Sequence, residues 1–458
     1  MSHSPPFRRD RRRLLALAPA LALAAAGCGR GQGAGDGNSL TMWTFKQSHV
    51  KALQNAATRF TAATGTKVSV QAITPDDAFL TKVQAAARTN DLPDVMEVHA
   101  NGDDLSFGGA GLLEDLQDTV DDTWLARYLP QVRTDGTVTR QQYENSLVEG
   151  AKTMGVKEGQ RFSVPLTVGT FGIVYADRAR LSAAGVTEPP STWEEFMDAL
   201  AAVHRTDPRT GGITIGVKQP STALEWLMQP MAYGMLGKQR FEALFGRDAS
   251  KGFTSDDGQR VLETYGQITP YWMPGTAAKA IDEADLSFAQ QKSSFLVGGT
   301  FTLAFLAENG RDTKGIMTFP VPSPRRAVIP GLQLAPFALT GLSVTRTSPR
   351  KRQALEWLRF LSQPDTAAAF GRTALDVPPN KLSGADRTAL GSLLTGMLDT
   401  FGTGDNAYNA GYTAYRPSLY DAGKVGAVLA EFTPLKEANA RQTGNRMGSM
   451  IKSNWAEQ

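Results

Sequence analysis

From residue 40 onward the apolar positions fall into short strand-like runs separated by stretches of helical spacing. Residues 40–45 read as a strand. Val50, Leu53, Ala57 and Phe60 then recur at three- and four-residue steps, the period of one helix face, and Gly65 stands where a C-terminal cap belongs. Residues 67–73 form the next strand, 76–88 a helix that buries Phe79, Leu80 and Val83, and 95–98 a third strand entered through Pro93 and Asp94. Such alternation predicts an α/β lobe with a mainly parallel sheet. Ligands of such sheets sit beyond the carboxyl ends of the strands, which here are 43–47 and 99–104.

The densest pattern lies between residues 161 and 200. Residues 162–166 are an apolar run holding Pro165, and 170–175 are rich in β-branched and aromatic residues. Gly169 and Gly172 bracket the start of that second run, as glycines do at a bend or a close backbone approach. Gly185 stops a short helical piece and Pro189-Pro190 breaks the chain. Ser191 with Glu194, and Thr192 with Glu195, have the spacing of a capping box. Trp193, Phe196, Met197 and Leu200 then form the apolar stripe of a helix. Further elements are helices over 123–128 and 141–151, a strand over 213–217, and a helix holding Leu224, Trp226, Leu227 and Met231. A helix over 285–291 precedes a strand over 294–297 that stops at Gly298-Gly299. A strand follows over 336–344, then an amphipathic helix over 350–361, and a second helix restarts at 362–365 and ends at Gly371. No stretch repeats another.

A length of 458 residues exceeds one core and predicts two lobes. The formal charge of +3 comes from the first 27 residues, where five arginines face Asp10 alone; the remainder carries 43 basic and 44 acidic groups. That balance excludes the basic field of a nucleic-acid binder. Those 27 residues have a basic start and an apolar run, 14–26, too short and too broken by Pro19 to span a bilayer, so they read as a secretion signal. Ala25-Ala26-Gly27 precede Cys28, the only cysteine, and resemble a lipobox in which Cys28 takes the lipid. Arg11-Arg12-Arg13-Leu14-Leu15 resembles a twin-arginine motif as well, which leaves the export route open. Residues 28–38, GRGQGAGDGN after the cysteine, read as a flexible tether.

Positive signs of catalysis are missing from the sequence. Four scattered histidines make no metal-binding helix, and no GxSxG elbow, phosphate loop or cysteine zinc spacing occurs. Adjacent acids such as Asp103-Asp104 do not face each other across a bond as a glycosidase requires. The expectation is a non-enzyme without metal or cofactor. A sugar, by contrast, offers a C–H face and a rim of hydroxyls, which call for aromatic platforms with a few polar groups. Trp43, Phe45, Trp226, Phe301, Tyr415 and Tyr420 lie where the topology puts a cleft. Trp193, Trp357 and Phe370 fit helix faces and read as packing.

Pro165, Gly172 to Tyr175, Asp177, Gly185, Pro189-Pro190 and Thr192-Trp193-Glu194-Glu195-Phe196 together resemble the first interlobe passage of bacterial solute-binding proteins of the maltose-binding class. Ala176 replaces that family's usual asparagine. The runs LPDVMEV, LVGGTF, PFALTGLSV and EWLRFLSQPDTAAAF are similar to the same family, so the resemblance covers essentially the mature chain. It implies an α/β, two-lobe, periplasmic-binding-protein-like (type II) fold with hinge crossovers at 168–172 and 336–340. The implied lobes are 39–168 plus 337–380 and 169–336 plus 381–458. It also implies a monomeric lipoprotein on the outer face of the cell membrane that hands a carbohydrate to ABC permease subunits. Phe301 resembles the family's stacking position, Asp103 or Asp104 its sugar-binding aspartate, and Lys46 its lysine. A hinge glutamate of the family is replaced by Gly169. With Thr170, Gly299 and Thr300 these complete the candidate ligand set. An exported, lipid-anchored glycan-active enzyme and a binder of a non-sugar solute, such as a glycerophosphodiester, are the alternatives.

Overall fold

Leu40, Met42 and Thr44 are buried along Ser39–Thr44 while their neighbours are more open, and this alternation fixes which face of the first sheet meets the core. The computed structural model describes residues 38–457. The leader, Cys28 and the tether up to residue 37 lie outside the described residues. Five strands make the first sheet, in the order Lys67–Ala72, Ser39–Thr44, Val95–His99, Phe337–Val344, Val164–Gly169. The first three run parallel, and Phe337–Val344 runs antiparallel to both of its neighbours. Val164–Gly169 is an edge strand, where Pro165 forfeits no central ladder bond.

A second sheet has the order Ile213–Thr214, Phe295–Gly299, Phe171–Asp177, Ile316–Pro320. Gln333–Leu334 and Ala407–Tyr408 form a two-stranded piece. The helix Trp193–Thr206 lays Trp193, Phe196, Leu200 and Val203 on the second sheet, with Phe196 edge-on to Phe295 (6.0 Å) and Phe319 (5.6 Å). Truncating a buried ring such as Trp193 costs about 3–5 kcal/mol. Thr192 caps that helix by accepting from the Glu195 backbone (3.3 Å). The Glu195 carboxylate turns back to the Ser191 backbone and hydroxyl (2.9 and 2.8 Å), so the capping pair is shared across two hydroxyl residues.

Most expected elements are present with edges moved by one to three residues, and the larger differences have local causes. The strand expected over 213–217 pairs only at Ile213–Thr214, because Gly216 lies directly against the backbone of Ile281. The helix expected over 141–151 is Arg140–Ser146, and Gly150 beyond it has φ +82°. Gly371 does not end its helix. Pro364–Ala374 runs past it, Leu375 takes the left-handed cap at φ 51°, and Gly371 leaves room for the Asp376 carbonyl and Pro378. Gly298 and Gly299 continue their strand instead of stopping it.

The chain leaves the first sheet after Gly169 and enters the second at Phe171; it returns at Phe337, and Phe337 pairs with Gly169. The two passages are therefore bonded neighbours. Leu390, Leu394 and Met397, far along the chain, pack in one cluster with Val164 and Val344 of the first sheet.

Candidate ligand-binding site

Where the chain passes between sheets, small residues let three segments meet. A Cβ on Gly169 would overlap the Thr300 hydroxyl and crowd Leu339, so a larger residue would have to displace both side chains. Thr300 donates its backbone N–H to the Thr170 carbonyl (3.1 Å), joining the strand end Phe295–Gly299 to the passage. Its hydroxyl is buried and has no partner.

Four aromatic rings gather beside this point. Phe171 stacks on Trp226 at 4.8 Å and 22°, while Phe337 meets Phe171 edge-on at 5.3 Å. Phe301 stands edge-on to Trp226 (5.8 Å) and to Phe171 (6.2 Å) and is half-buried. Trp226 belongs to a π turn, Ala223–Met228, a geometry enriched at functional sites. From the first sheet, the Lys46 ammonium reaches over the Phe301 ring, 5.3 Å from its centroid, and pairs with Asp376 at 3.1 Å.

Behind Lys46 lies a buried polar chain. Asp376 Oδ2 is 3.1 Å from His49 Nε2, Glu97 Oε1 is 2.8 Å from His49 Nδ1, and Thr44 donates to Glu97 Oε2 at 2.6 Å. Burial alone would lower the His49 pKa, but Glu97 and Asp376 outweigh it and raise it. Burial alone would raise the two carboxylates, yet His49 holds Glu97 below its usual range, and Lys46 with His49 brings Asp376 down to about 2. Sequence reasoning flagged Lys46 and missed its three buried neighbours.

Lys46, Gly169, Thr170, Trp226, Gly299, Thr300 and Phe301 are thus brought to one place, joined by Phe171 and Phe337. The other candidates are engaged in contacts of their own. Trp43 carries the Lys82 ammonium on its ring at 4.6 Å. Asp103 is bonded to His99 Nδ1 (2.7 Å), and His99 stacks on Phe45 at 4.1 Å. Asp104 points into the core, where it accepts from Ser163 Oγ (2.7 Å) and two backbone amides, and burial pushes its pKa up to about 6. Tyr415 and Tyr420 flank the guanidinium of Arg416, at 5.3 and 5.0 Å from the ring centroids. Arg416 in turn binds Glu225 (2.6 Å) and Gln229 (2.8 Å), residues of the helical stretch that carries Trp226. The pattern that could have found Arg416 is its place between two tyrosines, an aromatic-flanked cation.

Two α/β lobes joined by adjacent crossovers, with aromatic rings and a cation gathered at the junction, make up the type II periplasmic-binding-protein-like fold. The chain belongs to the bacterial extracellular solute-binding protein family, whose model matches residues 46–368. Among solved structures it is similar to a protein from a study of xylan utilization by Caldanaerobius polysaccharolyticus (17% identity, 90% of this chain and 100% of that one, TM-score 0.70). It is also similar to the GacH receptor of Streptomyces glaucescens (17% identity, 91% and 98%, TM-score 0.67). A third is the Thermus thermophilus maltotriose-binding protein (20% identity, 90% and 99%, TM-score 0.62). No curated protein matches the chain by sequence.

Proposed function

We propose that this chain is the substrate-binding lipoprotein of an ABC importer, anchored through Cys28, and that it captures a di- or oligosaccharide between its lobes. The observation that carries the reading is the half-buried Phe301 ring beside Lys46, with the half-buried Phe171 close by and the buried Trp226 and Phe337 packed behind, since an open ring face and a charged donor suit the C–H face and hydroxyl rim of a sugar. Support comes from similar structures solved with maltotriose, with raffinose and with acarbose. Closure would follow because a ligand touching both lobes favours the closed state. The lobes would be 39–168 with 337–380 and 169–336 with 381–458.

A thermal-shift screen of a soluble form lacking the first 37 residues, against a panel of neutral oligosaccharides, tests the ligand class. A binder present at 100 times its dissociation constant adds about 2.7 kcal/mol of stability. A flat response to every sugar, with a shift by a glycerophosphodiester, would replace the ligand class. For the anchor, Cys28→Ala is expected to be exported yet lost from the membrane fraction; retention there with the leader removed would refute it.

A further inference from the structure

The ligand reading does not use His49, although it is fully buried and contacts two carboxylates at once. Each ring nitrogen lies within hydrogen-bond distance of a carboxylate oxygen, Nδ1 of Glu97 and Nε2 of Asp376. An ionised carboxylate only accepts, so satisfying both contacts requires a proton on both nitrogens. A neutral ring would leave one lone pair facing an anion in a dry site. The burial of all the partners makes that arrangement costly.

We infer that His49 and Asp376 are positioning residues for Lys46: a doubly protonated His49 bridges Glu97 to Asp376, and Asp376 in turn holds the Lys46 ammonium over Phe301. With His49 charged, two cations balance two carboxylates, and Asp376 divides its charge between His49 and Lys46. Loss of the His49 proton leaves the cluster with an uncompensated negative charge. The full Asp376 charge then draws Lys46 inward and away from the Phe301 ring. Other charges face the cluster. Glu308 lies near enough to feel His49, and Lys46 is felt by Asp76 and His99. The raised pKa of His49 agrees with the assignment. Any effect on sugar affinity rests on the reading of Lys46 and Phe301 as ligand contacts, whereas the positioning itself does not.

A ligand-free measurement therefore separates the two. In the full-length chain, the His49 ring is expected to show both nitrogens protonated by nitrogen NMR at neutral pH, without any substitution. A neutral ring there overturns the inference. With 4-fluorophenylalanine at position 301, the fluorine signal is expected to titrate with a midpoint above histidine's usual value of about 6.5. His49→Gln is expected to flatten that titration, Lys46→Met to displace and flatten it, and His99→Asn to preserve it. A titration unchanged in His49→Gln sinks the role of His49, and one abolished in His99→Asn assigns the effect to His99. A signal indifferent to Lys46→Met removes Lys46 from the ring.

Discussion

Two buried cation sites flank the aromatic cluster, and they are built on opposite plans. On the side of the first sheet, His49 and Lys46 are neutralised by two carboxylates that are almost wholly buried, Glu97 and Asp376. On the other side, Arg416 has one carboxylate, Glu225, which is a quarter exposed, plus an uncharged amide and three ring faces at 5.0 to 5.7 Å. Arginine keeps its charge at any accessible pH and stacks well, so it tolerates a sparse anion supply. Histidine holds its second proton only while anions demand it. The first site is therefore brittle and titratable, the second forgiving and pH-blind.

The largest test of that contrast is Glu97→Gln, which strands a buried imidazolium and is expected to cost about 3 kcal/mol of folding stability in urea titrations. A loss below about 1 kcal/mol would erase the distinction between the sites. Next comes pH. The Asp376 pKa is depressed, so its contribution is complete above the usual carboxylate range and is lost as pH falls toward about 2. Comparing wild type with Asp376→Asn should expose roughly 2 kcal/mol over that acid range. The His49 pKa is raised, so its contribution is complete below the usual histidine value and is lost as pH climbs through the raised one. The difference in unfolding free energy between wild type and His49→Gln should accordingly shrink above neutral pH.

Arg416→Met should cost less, about 1–2 kcal/mol, because water reaches Glu225 once its partner is gone. That loss should stay constant from pH 5 to pH 9; a pH-dependent loss would show the second site titrating as well. Smallest in stability is Phe301→Ala, where a half-buried ring with edge contacts is removed. Sugar affinity should fall roughly tenfold or more by isothermal titration, with the ligand-free melting temperature moved by only a few degrees. A large fall in melting temperature at unchanged affinity would return Phe301 to the core.

The elements that could be read from the sequence are those fixed by their own periodicity. The helix expected over 76–88 is Asp76–Thr89, and the strand expected over 67–73 is Lys67–Ala72, since a stripe of Phe79 and Val83, or an alternation, is a local property. Glycine was harder to interpret. At Gly371 it permits a close approach inside a helix, and nothing in the run of residues separates that from a terminus. The π turn under Trp226 likewise has no local pattern. The site was half legible. Lys46, Trp226 and Phe301 are residue types a sugar cleft would use, but the His49 contacts lie 48 and 327 residues away in sequence. Buried charges gain meaning only from partners that the fold supplies.

The place of strand Phe337–Val344 has a consequence for biogenesis. It sits between Val95–His99 and Val164–Gly169, and among the described residues it is the only ladder neighbour of the latter. As the chain emerges from its N-terminus, Val164–Gly169 and the whole second sheet come out before the strand that docks the former exists. The first sheet therefore stays incomplete until after the second has emerged, and the edge of Val164–Gly169 waits without a partner. Closing such a distant pairing is slow. A chain held unfolded until its synthesis is complete avoids that exposure.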